Sequence, residues 1–163
     1  MSRLDSFIRR MQAQRACLDV AAEMIADVPG PVLELGLGNG RTYDHMREHM
    51  PERRIFVFER RVQAHPDCIP PDEDLFLGDF RETLPTAGER IGQKAALVHA
   101  DFGSGDAASI AAMAEFLAES LSKLVGPGAV IVSDQPINGP GWQTLQLPEG
   151  VKPGRYFMQR VPA

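Results

Sequence analysis

A glycine-rich stretch from Glu34 to Gly40 is the part of the chain best suited to bind a small charged ligand. Its first two residues end the mostly apolar run Val32–Leu35, and its last residue directly precedes a helical pattern that starts at Arg41. Glycines there let the backbone turn sharply and let a ligand approach without a Cβ in the way. The acid that precedes them suits a positively charged group on that ligand. The candidate binding residues in this loop are Glu34, Gly36, Leu37, Gly38, Asn39 and Gly40.

Two common phosphate-binding glycine motifs do not fit this loop. The dinucleotide fingerprint G-x-G-x-x-G requires glycine at position 41, where the chain has Arg41. That fingerprint also has no acid at the position of Glu34. A P-loop needs Gly-Lys-Ser/Thr after its glycines, and none follows here. The loop therefore disfavours an oxidoreductase that uses a nicotinamide dinucleotide.

Two further carboxylates follow the next two apolar runs. Glu59 comes directly after Ile55–Phe58, nineteen residues beyond Gly40. A nucleotide-binding α/β fold places an acid that accepts the ribose hydroxyls at about this position. Asp79 comes just after Leu75–Leu77. Since open α/β sheets bind ligands at the carboxyl ends of their strands, we expect these acids and the glycine loop to meet at one site.

The acid-x-Gly-x-Gly-x-Gly loop, Glu59 and the Gly78-Asp79-Phe80 element together resemble motifs of the class I, Rossmann-like methyltransferases, over residues 31 to 132. The resemblance implies S-adenosylmethionine as cofactor, which carries an ammonium and a sulfonium but no phosphate. It also implies that Glu59 binds the ribose and that Asp79 meets the adenine amino group. The neighbours included in this predicted cofactor site are Arg60, Gly78, Phe80 and Asp101.

The loop after the fourth apolar run, Ala95–Val98, holds the first candidate for catalysis, Asp101. Methyl transfer from a sulfonium is an in-line displacement, so the protein has to position the acceptor and deprotonate it when it is an alcohol or phenol. Asp134, after the fifth run, is the second candidate. An Asn/Asp-Pro-Pro-Tyr/Phe element, typical of enzymes that methylate bases or glutamine, is absent. Small-molecule acceptors, including those methylated on a hydroxyl oxygen, are therefore favoured.

Asp101, Asp134 and Gln135 also resemble the ligand pattern of cation-dependent, catechol-type O-methyltransferases. Oxygen ligands of this kind suit Mg²⁺ or Ca²⁺. The pattern departs from that family in two ways, because Gln135 replaces an asparagine and no lysine follows Asp101 shortly. We therefore predict no metal, with Asp101 and Asp134 capping turns or contacting the cofactor's edge.

Five short apolar runs alternate with helical patterns, which predicts a doubly wound, mostly parallel α/β sheet. The runs lack alternation, as expected where helices cover both faces of a sheet. One long amphipathic helix that ends near Asp27 precedes them and can either cap the sheet or cover a ligand. The predicted strands are Val32–Leu35, Ile55–Phe58, Leu75–Leu77, Ala95–Val98 and Ala129–Val132, and the later helices are Arg41–Met50 and Ala107–Val125.

The end of the chain predicts an antiparallel strand pair rather than a sixth parallel strand. About nine residues separate the fifth strand from Trp142–Leu147, too few for a parallel crossover helix. Trp142–Leu147 and Arg155–Arg160 should therefore pair at one sheet edge. We predict one domain over 1–163, with a helical cap (1–28), a cofactor-binding core (31–132) and shortened C-terminal strands (133–163).

Composition excludes several functional classes. The 163 residues carry a net charge of -5, which disfavours a nucleic-acid partner. No apolar run resembles a signal peptide or reaches the length of a membrane span, which predicts a cytoplasmic protein with no membrane partner. The two cysteines, Cys17 and Cys68, lack the spacing of a zinc knuckle. His99 is expected to be a hydrogen-bonded structural residue.

Two functions remain open at this stage. The first is a methyltransferase that acts on a small-molecule acceptor. The second is a non-catalytic binder of S-adenosylmethionine or S-adenosylhomocysteine, because the chain is short after the fifth strand, where such enzymes build an acceptor wall. A partner subunit can also complete the site, which predicts a homo-oligomer.

Overall fold

The computed structural model describes residues 1–163. Four α-helices and seven strands alternate along most of the chain, with two short 3-10 helices between β2 and β3. The elements are α1 (Arg3–Met24), β1 (Val32–Leu35), α2 (Arg41–His49), β2 (Ile55–Glu59), β3 (Leu75–Leu77), α3 (Phe80–Ile91), β4 (Ala95–Ala100), α4 (Ala107–Ser122), β5 (Val125–Ser133), β6 (Gln143–Thr144) and β7 (Phe157–Arg160).

All seven strands form one sheet in the order β3-β2-β1-β4-β5-β7-β6. The first five are parallel, whereas β7 runs antiparallel to both β5 and β6. This confirms the predicted doubly wound, mostly parallel sheet with an antiparallel pair at its edge. The strand order reverses between β1 and β4, the point at which such sheets open a crevice for ligands.

Helices cover both faces of the sheet, which explains why the strands are apolar without alternation. On one face, Leu33 and Leu35 of β1 pack with Leu84 of α3 and Leu117 of α4. On the other face, Val32 packs with residues of α1 and α2. Alternate residues of β1 therefore belong to two separate apolar clusters, and the sheet is buried from both sides.

The opening helix begins with a capping box, in which Ser2 and Asp5 satisfy each other's backbone N–H groups. Its buried side includes Cys17 and Leu18, which are at most 2% exposed. Burial raises the pKa of the Cys17 thiol to about 11. The helix ends at Met24, before the predicted end near Asp27. No helix of the protein is both long and apolar enough to cross a membrane.

Three elements differ most from the sequence-based expectation: α3, the fifth strand and β6, which spans only Gln143–Thr144 of the predicted Trp142–Leu147. The structure contains α3, which was not predicted and whose interior includes Pro85. Asp79 caps its N-terminus and Gly92, with φ +80°, ends it. The fifth strand is longer than predicted and begins at Val125, which pairs with Ala95 of β4, so α4 ends earlier than expected. The division of the chain into cap, core and C-terminal strands stays a prediction.

Candidate functional site

A cavity of about 650 Å³ opens at the carboxyl ends of β1, β2, β3 and β4. Its size lies within the range of small-molecule and cofactor sites. The predicted cofactor residues line it, except Glu34 and Gly40. The helices and loops that complete the cavity wall contribute Phe7, Arg10, Met11, Gln14, Arg41, Thr42, Phe102, Ser104, Ser109, Ile110 and Met113.

The glycine loop passes close to the neighbouring strand end and leaves room on its other side. Gly36 has φ +89°, and a Cβ there would lie 2.7 Å from the carbonyl oxygen of Asp101. Gly38 has φ +52°, and a Cβ there would meet no atom within 4 Å, although Gly38 lines the cavity. Gly36 is thus required by the fold, whereas the bare backbone at Gly38 leaves space for a ligand.

Glu59 lies at the end of β2 and ties the glycine loop to that strand. Its Oε2 accepts hydrogen bonds from the N–H groups of Leu37, at 2.7 Å, and Gly38, at 3.1 Å. Its Oε1 accepts from the N–H of Arg60 at 2.8 Å. The N–H of Arg61 makes a fourth, longer contact with Oε1 at 3.4 Å. Since a carboxylate has about four acceptor sites, a ligand hydroxyl would replace this weakest contact while Glu59 holds the loop.

Asp79 has two roles at the end of β3. Its Oδ1 accepts from the N–H of Arg81 at 2.9 Å and caps α3. Its Oδ2 accepts from the guanidinium of Arg60 at 2.7 Å. These two contacts hold the pKa of Asp79 below its usual value, the backbone hydrogen bond contributing most. Both side chains of this ion pair line the cavity.

Glu34 is placed differently from the other acids. It is 0% exposed and does not line the cavity. One oxygen accepts from the hydroxyl of Thr42 at 2.6 Å, and the other contacts Nδ1 of His99. The expected direct contact of Glu34 with a cationic ligand is therefore not seen. Thr42, which does line the cavity, is the group through which Glu34 reaches it.

A buried chain of hydrogen bonds runs from Glu34 to the N-terminal helix. Glu34 and His99 are register partners on β1 and β4, which explains their contact. Nε2 of His99 lies 2.5 Å from the hydroxyl of Tyr156, which also accepts from the amide of Gln14 at 2.9 Å. His99 is 0% exposed, so its expected role as a hydrogen-bonded structural residue is confirmed. Burial alone would lower its pKa, but the Glu34 carboxylate outweighs this effect and raises it.

The N-terminal helix covers the cavity, an outcome that the sequence left open. Its Arg10 lies 3.1 Å from the carboxylate of Asp101, with which it forms an ion pair across the site. Phe7, Met11 and Gln14 of the same helix also line the cavity. These residues were missed, because their helical spacing indicates only an amphipathic helix and does not say against which strand end it packs.

Two of the three residues of the suggested cation pattern, Asp101 and Asp134, are engaged in contacts within the protein. Both oxygens of Asp101 face the guanidinium of Arg10. Asp134 does not line the cavity, and its oxygens accept from the N–H groups of Phe102, at 3.0 Å, and Gly103, at 2.9 Å. Burial raises the pKa of Asp134, and the neighbouring Asp101 carboxyl raises it further. Gln135 also lies outside the cavity lining, so Asp101 is the member of the pattern that faces the cavity.

The position of Asp134 assigns it a structural role. It holds the loop that follows β4, the loop that presents Asp101 and Ser104 to the cavity. Because its carboxyl also interacts with that of Asp101, its role as a second catalytic residue stays a prediction.

Comparison with known proteins decides the family. Residues 1–161 match a family model described as S-adenosyl-L-methionine methyltransferase, which is nearly the whole chain. The protein belongs to this methyltransferase family. S-adenosylmethionine is the methyl donor that defines the family and is therefore the cofactor of this methyltransferase. Among curated proteins, none matches its sequence.

Solved structures agree with this assignment. The methyltransferase is 47% identical to an S-adenosyl-L-methionine methyltransferase from Silicibacter pomeroyi, with a TM-score of 0.91 over 98% of this chain and 99% of that one. It also shares its fold with human methyltransferase-like protein 13, whose structure was solved in complex with S-adenosylhomocysteine (SAH). There the identity is 12% and the TM-score 0.60, over 93% of this chain and 81% of that one.

Proposed function

We propose that this methyltransferase transfers the methyl group of S-adenosylmethionine to a small-molecule acceptor, with a hydroxyl oxygen as the methylated atom. The observation that carries the proposal is a single cavity whose two sides are lined by different functional groups. Glu59 and Asp79 lie on the β2 and β3 side of β1, and Asp101 lies on the β4 side. The first side suits a nucleoside and the second an acceptor.

The cofactor side offers groups that match the chemistry of a nucleoside. S-adenosylmethionine supplies an electrophilic methyl group on a sulfonium. Glu59 would accept hydrogen bonds from the ribose hydroxyls, and Asp79 would accept one from the adenine amino group. The open face of Gly38 leaves room for the ligand to approach the backbone. Asp79 is already fixed by Arg60 and by its cap of α3, so little ordering is needed on binding.

The acceptor side combines one carboxylate with an apolar wall. We assign Asp101 the role of holding the acceptor hydroxyl and taking its proton, and Arg10 the role of positioning that carboxylate. Ser104 and Ser109 are further polar side chains after β4 that line the cavity. This combination suits a small, partly apolar alcohol or phenol. The apolar wall consists of Phe7, Met11, Phe102, Ile110 and Met113.

Replacing Asp101 by asparagine tests this assignment. We expect kcat for a hydroxyl acceptor to fall by about a hundredfold or more, because asparagine cannot take the proton. The measurement is release of S-adenosylhomocysteine with a panel of catechols, phenols, carboxylates and amines. Asp106→Asn is the matched control, because Asp106 caps α4 outside the cavity and asparagine caps a helix equally well.

Two outcomes of this test would contradict the assignment. Unchanged kcat in Asp101→Asn would remove Asp101 from the reaction. A loss of cofactor affinity as large as the loss of kcat would assign Asp101 to cofactor binding instead. Affinity is therefore measured in parallel by calorimetry with S-adenosylmethionine.

One observation favours the alternative, a non-catalytic binder of S-adenosylmethionine or S-adenosylhomocysteine. No residue after Met113 lines the cavity, so the C-terminal strands build no acceptor wall. Cofactor binding without release of S-adenosylhomocysteine for any member of the panel would support the binder.

Metal dependence of S-adenosylhomocysteine release would contradict the pairing of Asp101 with Arg10.

The remaining expectations belong to the same proposal. We place the methyltransferase in the cytoplasm. We propose no nucleic-acid partner, because its net charge of -5 disfavours contact with a phosphate backbone. We also propose a homo-oligomer in which a second subunit supplies the missing acceptor wall. Exposed apolar residues at the start of the chain are suited to such a contact, and Phe7 among them lines the cavity: Met1, Leu4, Phe7 and Ile8.

A further inference from the structure

A second group of polar side chains lies outside the cavity, where α1 packs against α2. Asp19 of α1 and His45 and His49 of α2 each offer one ligand atom, and these atoms lie within 4.8 Å of one another. None of the three lines the cofactor cavity. The group is therefore separate from the methyl-transfer site and has no role in the chemistry proposed above.

The two histidines are arranged as a chelating pair. They are four residues apart on α2, so their side chains lie on the same face of the helix. Their ring centroids are 4.0 Å apart and the ring planes differ by 33°. Two histidines at this spacing on one helix are a recurrent zinc-binding arrangement, because one ion can contact both rings.

The hydrogen bonds of His49 leave its other nitrogen free for an ion. Its Nδ1 lies 2.9 Å from the backbone carbonyl oxygen of His45. A carbonyl can only accept, so Nδ1 carries the proton and donates it. Nε2 of His49 then keeps its lone pair. This is the outer contact typical of metal-binding histidines, which donate one ring N–H to a carbonyl while the other nitrogen binds the metal.

His45 and Asp19 supply the other two donors. Nε2 of His45 lies 2.6 Å from Oδ1 of Asp19, with the side chains 23% and 44% exposed. An ion between them would replace the proton that they share, and with tetrahedral metal–ligand bonds of about 2.0 to 2.1 Å the two atoms would move apart by about 0.7 Å. The group is open to solvent on the side of His49, which is exposed, so water can complete the coordination.

We propose that Asp19, His45 and His49 form a binding site for a divalent transition metal of the zinc type. Two imidazoles and one carboxylate are a donor set that Zn²⁺ accepts, with water as a fourth ligand. Mg²⁺ and Ca²⁺ bind poorly to such a set, because they prefer oxygen ligands. The nitrogen donors of the site therefore favour Zn²⁺ over Mg²⁺ and Ca²⁺.

The position of this site gives it a structural consequence for the cofactor cavity. The ion ties α1 to α2, and both helices supply cavity-lining residues, Arg10 and Gln14 from α1 and Thr42 from α2. α2 also begins directly at the glycine loop, with Gly40 at its N-cap. Metal binding would therefore fix the helix that covers the cavity against the helix that follows the loop.

Calorimetric titration of chelator-treated, tag-free protein with ZnCl₂ tests the site. We expect saturable binding of one ion per chain in the absence of any other ligand. Because the ion binds the folded state, the thermal midpoint should rise by about 5 to 10 °C when free Zn²⁺ is about 100 times Kd. MgCl₂ at the same concentrations should produce neither effect.

Variants separate this site from weak surface binding. His49→Ala and Asp19→Asn should each weaken Zn²⁺ binding by about tenfold or more and reduce the thermal shift by about half or more at the same free Zn²⁺. His65→Ala removes an exposed histidine elsewhere and should bind like the wild type. Melting without metal shows whether each variant is folded. Absent binding in the wild type, or equal binding in all variants, would overturn the proposal.

Discussion

Replacing His99 by leucine is expected to lower the free energy of unfolding by about 3 to 5 kcal/mol. Leucine fits the space of the imidazole but leaves the Glu34 carboxylate fully buried, with Thr42 as its remaining side-chain partner. The hydroxyl of Tyr156 also loses a partner in the substitution. A buried charge without compensation is among the largest single costs in a folded protein.

Urea unfolding followed by circular dichroism measures this cost. His65→Leu is the matched control, because His65 is exposed and its only polar role is to cap a 3-10 turn, so we expect a loss below about 1 kcal/mol. The double variant Glu34→Leu/His99→Leu should recover part of the stability, since no buried charge remains. Equal midpoints for wild type and His99→Leu would show that the buried chain contributes nothing to stability.

The same pair predicts a pH dependence. The pKa of folded His99 lies above its unfolded value near 6.5, because the Glu34 carboxylate outweighs burial. A raised pKa contributes stability that is complete below about pH 6.5 and is lost as pH rises through the folded pKa. The difference in unfolding free energy between the wild type and the double variant Glu34→Leu/His99→Leu, which carries neither titrating group, should therefore shrink as pH rises above about 6.5. A difference that grows over this range would contradict the raised pKa.

Replacing Glu59 by alanine is expected to weaken binding of S-adenosylmethionine by at least about tenfold. Each hydrogen bond to a charged acceptor contributes about 1.5 to 3 kcal/mol, and every 1.4 kcal/mol corresponds to about a tenfold change in affinity. The substitution also frees the N–H groups of Leu37 and Gly38, so the glycine loop loses its attachment to β2. Isothermal calorimetry with S-adenosylmethionine measures the change.

A nearby acid provides the control for this experiment. Glu73 is exposed and lies outside the cavity, so Glu73→Ala should bind the cofactor like the wild type. Equal affinity in Glu59→Ala would mean that the ribose is bound elsewhere, and the site assignment built on the glycine loop would be withdrawn. Reduced nicotinamide dinucleotide should bind neither protein.

Much of the fold could be predicted because its strands are buried on both faces. Runs such as Ile55–Phe58 and Ala95–Val98 are apolar throughout, as expected for parallel strands between two helical layers. The helix α3 escaped prediction because Pro85 interrupts its pattern. Its ends were nonetheless marked, since Asp79 is a good N-cap and Gly92 a good C-terminal stop.

The site was predictable only as far as it consists of strand ends. Glu59, Asp79 and Asp101 follow strands, and the rule that ligands bind at carboxyl ends brings them together. The role of Glu34 was not predictable, because its contact with His99 depends on the register of β1 against β4. The pairing of Arg10 with Asp101 joins residues 91 positions apart and leaves no local pattern in the sequence.

The absence of any cavity-lining residue after Met113 has a consequence for how this fold can diverge. The loop that leaves β5 emerges at the same sheet edge as the cavity, and its tip at Asn138, Pro140 and Gly141 is exposed. A helix or hairpin inserted there would reach the open acceptor side without replacing any group that faces the nucleoside. Under the proposed function, methyl-donor recognition and acceptor choice would depend on separate parts of this chain, and new substrate ranges could arise by insertion at one loop.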